Sequence, residues 1–221
     1  MYIQKEKMNK ERIREDLKAL GVGYKTKDVD RLIHRYVKEK ADVSFLRKDV
    51  LKEKEKYHRI YFYVSLLQIE DANARMEFID RNLLFSDWWH TDQLIRFVCD
   101  LDFETAYGYA QKYVLHSDPF IRRWGYVLFI SKLCREKENL AKILGLLHND
   151  EEYYVYMAEA WLLCELAVFF PEEIRNWFEK ENDLNYDISG RAIQKIQDSF
   201  RISDAYKQAF KAQREKCRER R

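Results

Sequence analysis

The chain has 221 residues, of which 47% are hydrophobic and 35% charged, and its formal net charge is +2. Only 6 glycines and 2 prolines interrupt it, which favours amphipathic helices and argues against a turn-rich β fold. The small net charge averages Lys/Arg-rich ends against a middle that carries many of the carboxylates. The distribution of charge is therefore more informative than its sum.

Cysteine usage and hydropathy narrow the class further. The 4 cysteines are scattered without a CxxC pair or a neighbouring histidine, so the sequence predicts no disulfide framework, no zinc site and no other cofactor. The segment from Met1 to Lys18 is charged throughout, and no apolar run approaches the ~18 residues that a membrane helix needs. We therefore expect a cytoplasmic protein that does not engage a membrane.

Hydrophobic periodicity predicts three short helices with basic outer faces near the start of the chain. They run from Lys7 to Leu20, where Gly21-Val22-Gly23 reads as a C-cap, from Thr26 to Lys38, and from Val43, with Ser44 as a possible cap. These spacings indicate one apolar stripe per helix, facing the core.

The remainder of the chain is also helical by period. The aromatic and β-branched run from Tyr57 to Leu67 has strand propensity, but no second strand signal exists to pair with it, so a buried helix is predicted. Both prolines fall where a helix should begin, Pro119 directly after the N-cap Asp118 and Pro171 directly before two carboxylates. The further predicted helices span Ala72 to Arg81, Trp88 to Val98, Glu104 to Val114, Pro119 to Leu133, Asn139 to Leu147, Glu151 to Phe169, Pro171 to Glu179, Ser189 to Ser199 and Asp204 to Glu215.

This succession of helices has the spacing of a repeat protein. Twelve or so helices, in pairs with a period of roughly 35 to 40 residues, match HEAT-type repeats, although consecutive units do not align by identity. The predicted fold is therefore an all-α, HEAT-like repeat α-solenoid that forms a single domain over residues 1–221. Residues 214–221 are expected to form a frayed basic tail.

The chain from Leu147 onward resembles the AlkD-like DNA alkylation repair proteins, in which HEAT-like repeats curve around duplex DNA. The resemblance implies a concave DNA-binding face and damaged or distorted double-stranded DNA as the partner, and we expect a monomer. The residues that carry it are Leu147-His148, Glu152 to Val155, Ala158 to Leu163, Pro171-Glu172 and Arg191 to Ser203.

A second match lies upstream, where residues 86–92 resemble the family segment that supplies an active-site Trp and Asp. Trp88 and Asp92 occupy those positions, and their i, i+4 spacing places both side chains on one helical face. In the family this pair and a second Trp, which corresponds to Trp161, surround the sugar of the damaged nucleotide. The glycosidic bond is cleaved there without the base entering a pocket, unlike in base-flipping glycosylases.

The implied chemistry is physically coherent. An N-alkylated purine is already cationic and leaves readily, so Asp92 would stabilise the cationic sugar by its charge, and Trp88 and Trp161 would do so by their π faces. No metal is required. Without the resemblance, the same pair would be read as a half-buried packing Trp beside a solvated acid, and Trp161 as a core residue.

Basic residues supply the candidates for DNA contact. The family uses an Arg near the start of the helix after the Asp-Pro turn, for which Arg122 and Arg123 are the candidates, although an ungapped comparison places Trp124 there. An alternative for any single cation is a solvated surface interleaved with carboxylates. The other candidates for phosphate contact are Arg191, Lys195, Arg201, Arg47 and Lys48.

One departure from the family pattern bears on activity. Catalytic members carry an aromatic N-terminal helix followed by a Phe-x-Gly-Ile/Val-x-x-Pro segment, and here neither Gly nor Pro occurs from Tyr24 to Ser86. In this respect the chain resembles a branch of the family that lacks the N-terminal lesion-recognition helix and binds DNA without glycosylase activity. The resemblance covers about residues 80–205 well and the first 80 poorly. We predict a protein that recognises the duplex backbone, with excision of N3- or N7-alkylated purines left open. The alternatives are a non-catalytic DNA-structure binder and a protein-interaction α-solenoid, which salt dependence separates.

Overall fold

A computed structural model describes residues 8–180 and 183–219, and this part of the chain contains helices and no strand. The all-α class is thereby confirmed, and the described residues form twelve α-helices joined by short connections and three 3-10 turns. The helices are α1 (Lys10–Ala19), α2 (Thr26–Lys38), α3 (Lys54–Leu67), α4 (Ala72–Arg81), α5 (Trp88–Asp92), α6 (Phe103–Tyr113), α7 (Pro119–Val127), α8 (Leu140–Leu144), α9 (Tyr153–Phe169), α10 (Pro171–Lys180), α11 (Tyr186–Asp198) and α12 (Asp204–Glu219). The 3-10 turns are Ser44–Lys48, Ile95–Phe97 and Lys137–Asn139.

Residue contacts divide the chain into two compact units, Met1–Ser86 and Asp87–Arg221, each of which is described by itself. The single domain expected from the sequence stays a prediction. Of the expected frayed tail, residues 214–219 form the end of α12 and residues 220–221 lie outside the described part of the chain. Among the described residues, no helix is both long and apolar enough to cross a bilayer.

The first unit is built around α3, which packs against α2. The aromatic run that begins at Tyr57 is confirmed as a helix, and most of its side chains are buried on several sides. That burial explains why strand propensity does not decide its structure, since a helix enclosed by others satisfies its backbone internally. The glycine at the end of α1 is also confirmed as a helix stop, because Gly21 has a φ of 82° directly after the C-cap Leu20.

The prediction of a third α-helix from Val43 is wrong, because this segment forms a 3-10 turn. The chain forms a 3-10 turn over Ser44–Lys48, with i to i+3 bonds from Leu46 N–H to the Val43 carbonyl at 2.9 Å and from Asp49 N–H to the Leu46 carbonyl at 2.8 Å. A single tight turn already buries Val43, Leu46 and Val50. Their helical spacing is therefore satisfied without a full α-helix.

The second unit is centred on α9, a helix of 17 residues. It is apolar on most sides, and it packs against α7, α10 and α11, as expected for a helix enclosed by its neighbours. Consecutive helices also pair, α6 with α7 and α11 with α12, while α5 packs on α7. This pairing is consistent with a helical-repeat protein and places side chains from α5, α7, α9 and α11 within reach of one another.

Helix starts in this unit follow the prediction better than helix ends. Pro119 and Pro171 are the first residues of α7 and α10, and the Asp118 carboxylate accepts from the Phe120 and Ile121 N–H groups at the α7 N-terminus. By contrast, α7 ends at Val127 and not at residue 133, because the following residues bond to carbonyls two or three positions back.

The predicted helix from Trp88 to Val98 is also divided. Here α5 ends at Asp92 and a separate 3-10 turn follows over Ile95–Phe97. The Thr91 hydroxyl donates to the Trp88 carbonyl at 2.8 Å, and the Asp92 carboxylate is held by a side chain of another helix. Tertiary bonds at the end of α5 thus replace the helical continuation that periodicity predicted.

Candidate active site

The short helix α5 presents an indole and a carboxylate on one face. Asp87 caps it, with its carboxylate accepting the Trp88 N–H at 2.9 Å, and Trp88 and Asp92 follow at i and i+4. Trp88 is 46% exposed, a high value for an indole in a helix of this unit. The structure places these two side chains on the same face of α5, as their spacing predicts.

A cavity of about 530 Å³ lies beside this face. Side chains from α5, α7, α9 and α11 converge on it, so residues that are far apart in sequence meet there. The predicted catalytic residues Trp88, Asp92 and Trp161 are all among them. Its lining consists of Trp88, Asp92, Arg123, Tyr153, Tyr154, Met157, Trp161 and Lys195.

The carboxylate of Asp92 is paired with the guanidinium of Arg123. Nη2 of Arg123 lies 2.8 Å from Oδ1 and 2.9 Å from Oδ2, and Nε lies 3.1 Å from Oδ1. The buried Thr91 hydroxyl lies 3.0 Å from Oδ1. Asp92 is 19% exposed and Arg123 6%, so the carboxylate faces the cavity while its partner is enclosed. The bonds from the guanidinium fix the orientation of the carboxylate.

Arg123 has little capacity left for an external ligand. Its Nη1 donates to the Tyr154 carbonyl at 2.6 Å and its Nε also reaches the Thr91 hydroxyl at 3.2 Å. All three guanidinium nitrogens therefore donate to protein acceptors on α5 and α9. The sequence left the family's Arg between Arg122 and Arg123, and the structure brings Arg123 into the cavity; Trp124, the third possibility, is fully buried.

Arg122 points to a different partner, the carboxylate of Asp150. The two groups form a bidentate pair, with Nε to Oδ2 at 2.6 Å and Nη2 to Oδ1 at 3.2 Å, and Arg122 Nη1 donates to the His116 and Ser117 carbonyls. Burial by itself raises the pKa of Asp150, but the hydrogen bonds from Arg122 and from the Glu152 N–H outweigh it and hold that pKa below its usual range. The pair anchors the segment that leads into α9.

The aromatic wall of the cavity was only partly anticipated. Tyr153, Met157 and Trp161 recur every four residues on α9 and share one face, a spacing that could have identified all three. Tyr153 and Tyr154 are both exposed and contact each other edge to face, with ring centroids 5.2 Å apart. Thr91 was missed as well, since a single buried Thr carries no sequence signal.

The residues predicted to contact phosphates differ in whether another side chain already binds them. Lys195 lies at the cavity, and it makes no ion pair within the described residues. Arg201 is paired with Glu165. Arg47 and Lys48 belong to the first unit, where Arg47 donates to the Asn82 side chain at 2.7 Å and Lys48 is exposed. The structure thus brings only Arg123 and Lys195, of the seven candidates, to the cavity.

A buried acid lies on the other side of α9. The carboxyl of Glu159 is fully buried, and Oε1 accepts the His148 N–H at 2.9 Å, while Oε2 has no hydrogen-bond partner in the described residues. Burial raises the pKa of Glu159 to about 8. Tyr126 lies beside it, with its hydroxyl 2.6 Å from Nδ1 of His148. This acid does not line the cavity, so its role is in the core.

Comparison with known proteins assigns the chain to a family. A family model described as DNA alkylation repair enzyme matches residues 4–196. The match includes residues 4–80, a part of the chain that the sequence resemblance was expected to cover poorly. Neither the curated proteins nor the solved structures contain a match. Because the family model spans most of the chain, this protein belongs to the DNA alkylation repair enzyme family.

Proposed function

We propose that this protein binds duplex DNA and excises cationic N3- or N7-alkylated purines at the cavity that Asp92 lines. Family membership supports a role in DNA repair. The observation that carries the finer proposal is the convergence of Trp88, Asp92 and Trp161, from two helices, on one cavity. Aromatic faces around a fixed carboxylate form an environment suited to a transient cation.

The reaction follows from the charge of the substrate. The bond from C1′ to the purine nitrogen breaks, and the base leaves as a neutral molecule with the electron pair. Positive charge then develops on the sugar, where the Asp92 carboxylate and the indole faces stabilise it. A water oxygen bonds to C1′, and its proton passes to the carboxylate or to solvent. Within the described residues Oδ2 of Asp92 accepts only from Arg123, which leaves it the freer oxygen for this contact.

Binding would rely on the backbone and not on base identity. Lys195 offers an unpaired cation at the cavity, while the exposed Tyr153 and Trp88 offer apolar surface for a sugar or a base. None of the lining residues presents the paired donors and acceptors typical of base readout, apart from the occupied Arg123. Affinity should therefore fall steeply with salt and vary little with sequence.

The test is release of 7-methylguanine from a methylated duplex by the wild type and by Asp92→Asn. We expect release to slow by roughly 100-fold in the variant, since an electrostatic group aimed at the transition state typically contributes that much. Asp100→Asn is a matched control, because Asp100 is an exposed acid of the same unit, outside the cavity. DNA binding and thermal unfolding of each variant separate lost chemistry from lost affinity or folding.

A non-catalytic DNA binder of the same family is a second candidate, favoured by the contact between Asp92 and Arg123. The bidentate pair offsets much of the carboxylate charge in the free protein. A wild type that binds duplex DNA with steep salt dependence yet releases no base would establish this candidate and exclude excision. A shallow salt dependence would exclude both and favour a protein-interaction role.

A further inference from the structure

A second cavity, of about 460 Å³, lies between α11 and α12. It is separate from the Asp92 cavity and shares no residue with it. Five of its six lining residues carry polar or charged side chains, and two of them are arginines, one from each helix. The lining consists of Tyr186, Asp187, Gly190, Arg191, Gln194 and Arg214.

Neither arginine is neutralised by a carboxylate within the described residues. Arg191 is exposed on α11, and Arg214 donates from Nη1 to the Gln194 side chain at 2.8 Å. Nε of Arg214 is buried and has no hydrogen-bond partner in the described part of the chain. An unmatched buried N–H of this kind is costly, and an anion entering the cavity would satisfy it. Asp187 is the single acid of the lining, so two cations face one anion.

The ring of Tyr186 packs closely against the backbone of α11 at Gly190. Tyr186 and Gly190 are i and i+4 on this helix, and a Cβ at residue 190 would lie 3.1 Å from the tyrosine ring. Glycine at this position therefore lets the ring approach the helix backbone, and both residues line the cavity. The guanidinium groups of Arg191 and Arg214 suit a tetrahedral oxyanion, which arginine binds through paired N–H donors.

The position of this cavity relates it to the Asp92 cavity. Arg191 and Lys195 are one turn apart on α11, with an axial rise of about 6 Å. That rise is the axial span of about two nucleotides of one DNA strand. In contrast, Arg122 and Arg123 of α7 are occupied by Asp150 and Asp92. Among the described residues, Lys195 at the Asp92 cavity and Arg191 and Arg214 at the second cavity are cations that no carboxylate pairs with.

We propose that the cavity between α11 and α12 is a phosphate site, in which Arg191 and Arg214 hold the DNA backbone beside the nucleotide that Asp92 engages. Lys195 contacts a second phosphate on the same strand, one helical turn away. This inference rests on the proposed function, since it assumes that DNA reaches the Asp92 cavity. It assigns the backbone contacts to the C-terminal helix pair and leaves Arg123 as a positioning residue for Asp92.

The experiment measures duplex affinity against salt for the wild type, Arg191→Gln, Arg214→Gln and the double variant. Loss of one charge-assisted phosphate contact should weaken binding roughly tenfold or more. It should also lower the log-log salt slope by about 1, and by about 2 in the double variant. Lys211→Gln is the matched control, because it removes one exposed cation of α12 that does not line the cavity. Its slope should stay close to that of the wild type.

Two outcomes would overturn the proposal. The first is an unchanged slope in the double variant, or a slope that Lys211→Gln lowers equally. The second is binding of inorganic pyrophosphate that Arg191→Gln abolishes while duplex affinity is unaltered, which would assign the cavity to a free phosphate compound. Arg191 is exposed, so its variant should fold even if Arg214→Gln destabilises α12; thermal unfolding checks both.

The failure of this inference can be distinguished from the failure of the proposed function. If the wild type binds no duplex and releases no base, the proposed function fails, and the backbone assignment fails with it. If the wild type binds the duplex and releases 7-methylguanine while the arginine variants keep the full salt slope, only the phosphate site is lost.

Discussion

Replacing Glu159 with Gln removes a buried titratable group from the core of the second unit. One carboxyl oxygen accepts the His148 N–H, and the other has no partner in the described residues. Burial is the main cause that raises the pKa of Glu159 to about 8, and nearby Asp150 adds to it. At neutral pH the folded protein therefore keeps this side chain protonated, whereas the unfolded chain ionises it.

The pKa difference sets the size and the sign of the effect. The pKa is about 8 when folded and 4.5 ordinarily, a gap of about 3.5 pH units, and ~1.4 kcal/mol per unit gives roughly 5 kcal/mol. The folded state binds the extra proton, so this stability is fully present below pH 4.5. It is lost as the pH rises to about 8. The Glu159→Gln variant would carry no such dependence, because an amide does not titrate in this range.

The assay is urea unfolding of the wild type and Glu159→Gln at several pH values from about 4 to about 9, which span the ordinary and the raised pKa of Glu159. Below pH 5 the variant should be less stable by about 1 to 3 kcal/mol, because its amide leaves buried donors unsatisfied. The difference should reverse as the pH rises, moving in favour of the variant by up to about 5 kcal/mol. Glu151→Gln, at an exposed carboxylate that precedes α9, serves as the control for loss of one surface charge.

Parallel pH profiles for the wild type and Glu159→Gln would refute this reasoning. They would mean that the carboxyl is ionised in the folded protein, with the charge of Arg122 compensating it. The ionisable side chains that neighbour Glu159 are Arg122, His148, Tyr126 and Asp150.

Two further substitutions test the packing that supports the site. Gly125→Ala would place a Cβ 2.8 Å from Cγ1 of Val114. Overpacking should exceed the helix-propensity gain of ~1 kcal/mol, so urea unfolding should show a net loss of about 1 to 2 kcal/mol, and a gain would show that α6 and α7 can separate. Arg122→Gln leaves Asp150, 5% exposed, without its cation, and we expect a loss of about 3 to 5 kcal/mol. A loss below about 1 kcal/mol would mean that water replaces the guanidinium.

Local sequence determined the class of fold and most helix starts. Asp118 and Pro119 fix the beginning of α7 because a capping carboxylate and a residue without N–H suit that position alone. The spacing of Trp88 and Asp92 places them on one face for the same kind of reason, since the helical period is local. These features depend on residues a few positions apart, so the sequence alone could predict them.

Only the tertiary structure decided what each site residue does. Asp92 and Arg123 are 31 residues apart, and so are Arg123 and the Tyr154 carbonyl; no local pattern indicates which acceptor a guanidinium finds. The same limit hid the difference between Arg201, paired with Glu165, and Lys195, which lines the cavity. Tertiary contacts also decide that α5 ends at Asp92, where bonds to α7 replace the next helical turn. Helical period selects a face, but the packing of helices from distant parts of the chain selects the partner across it.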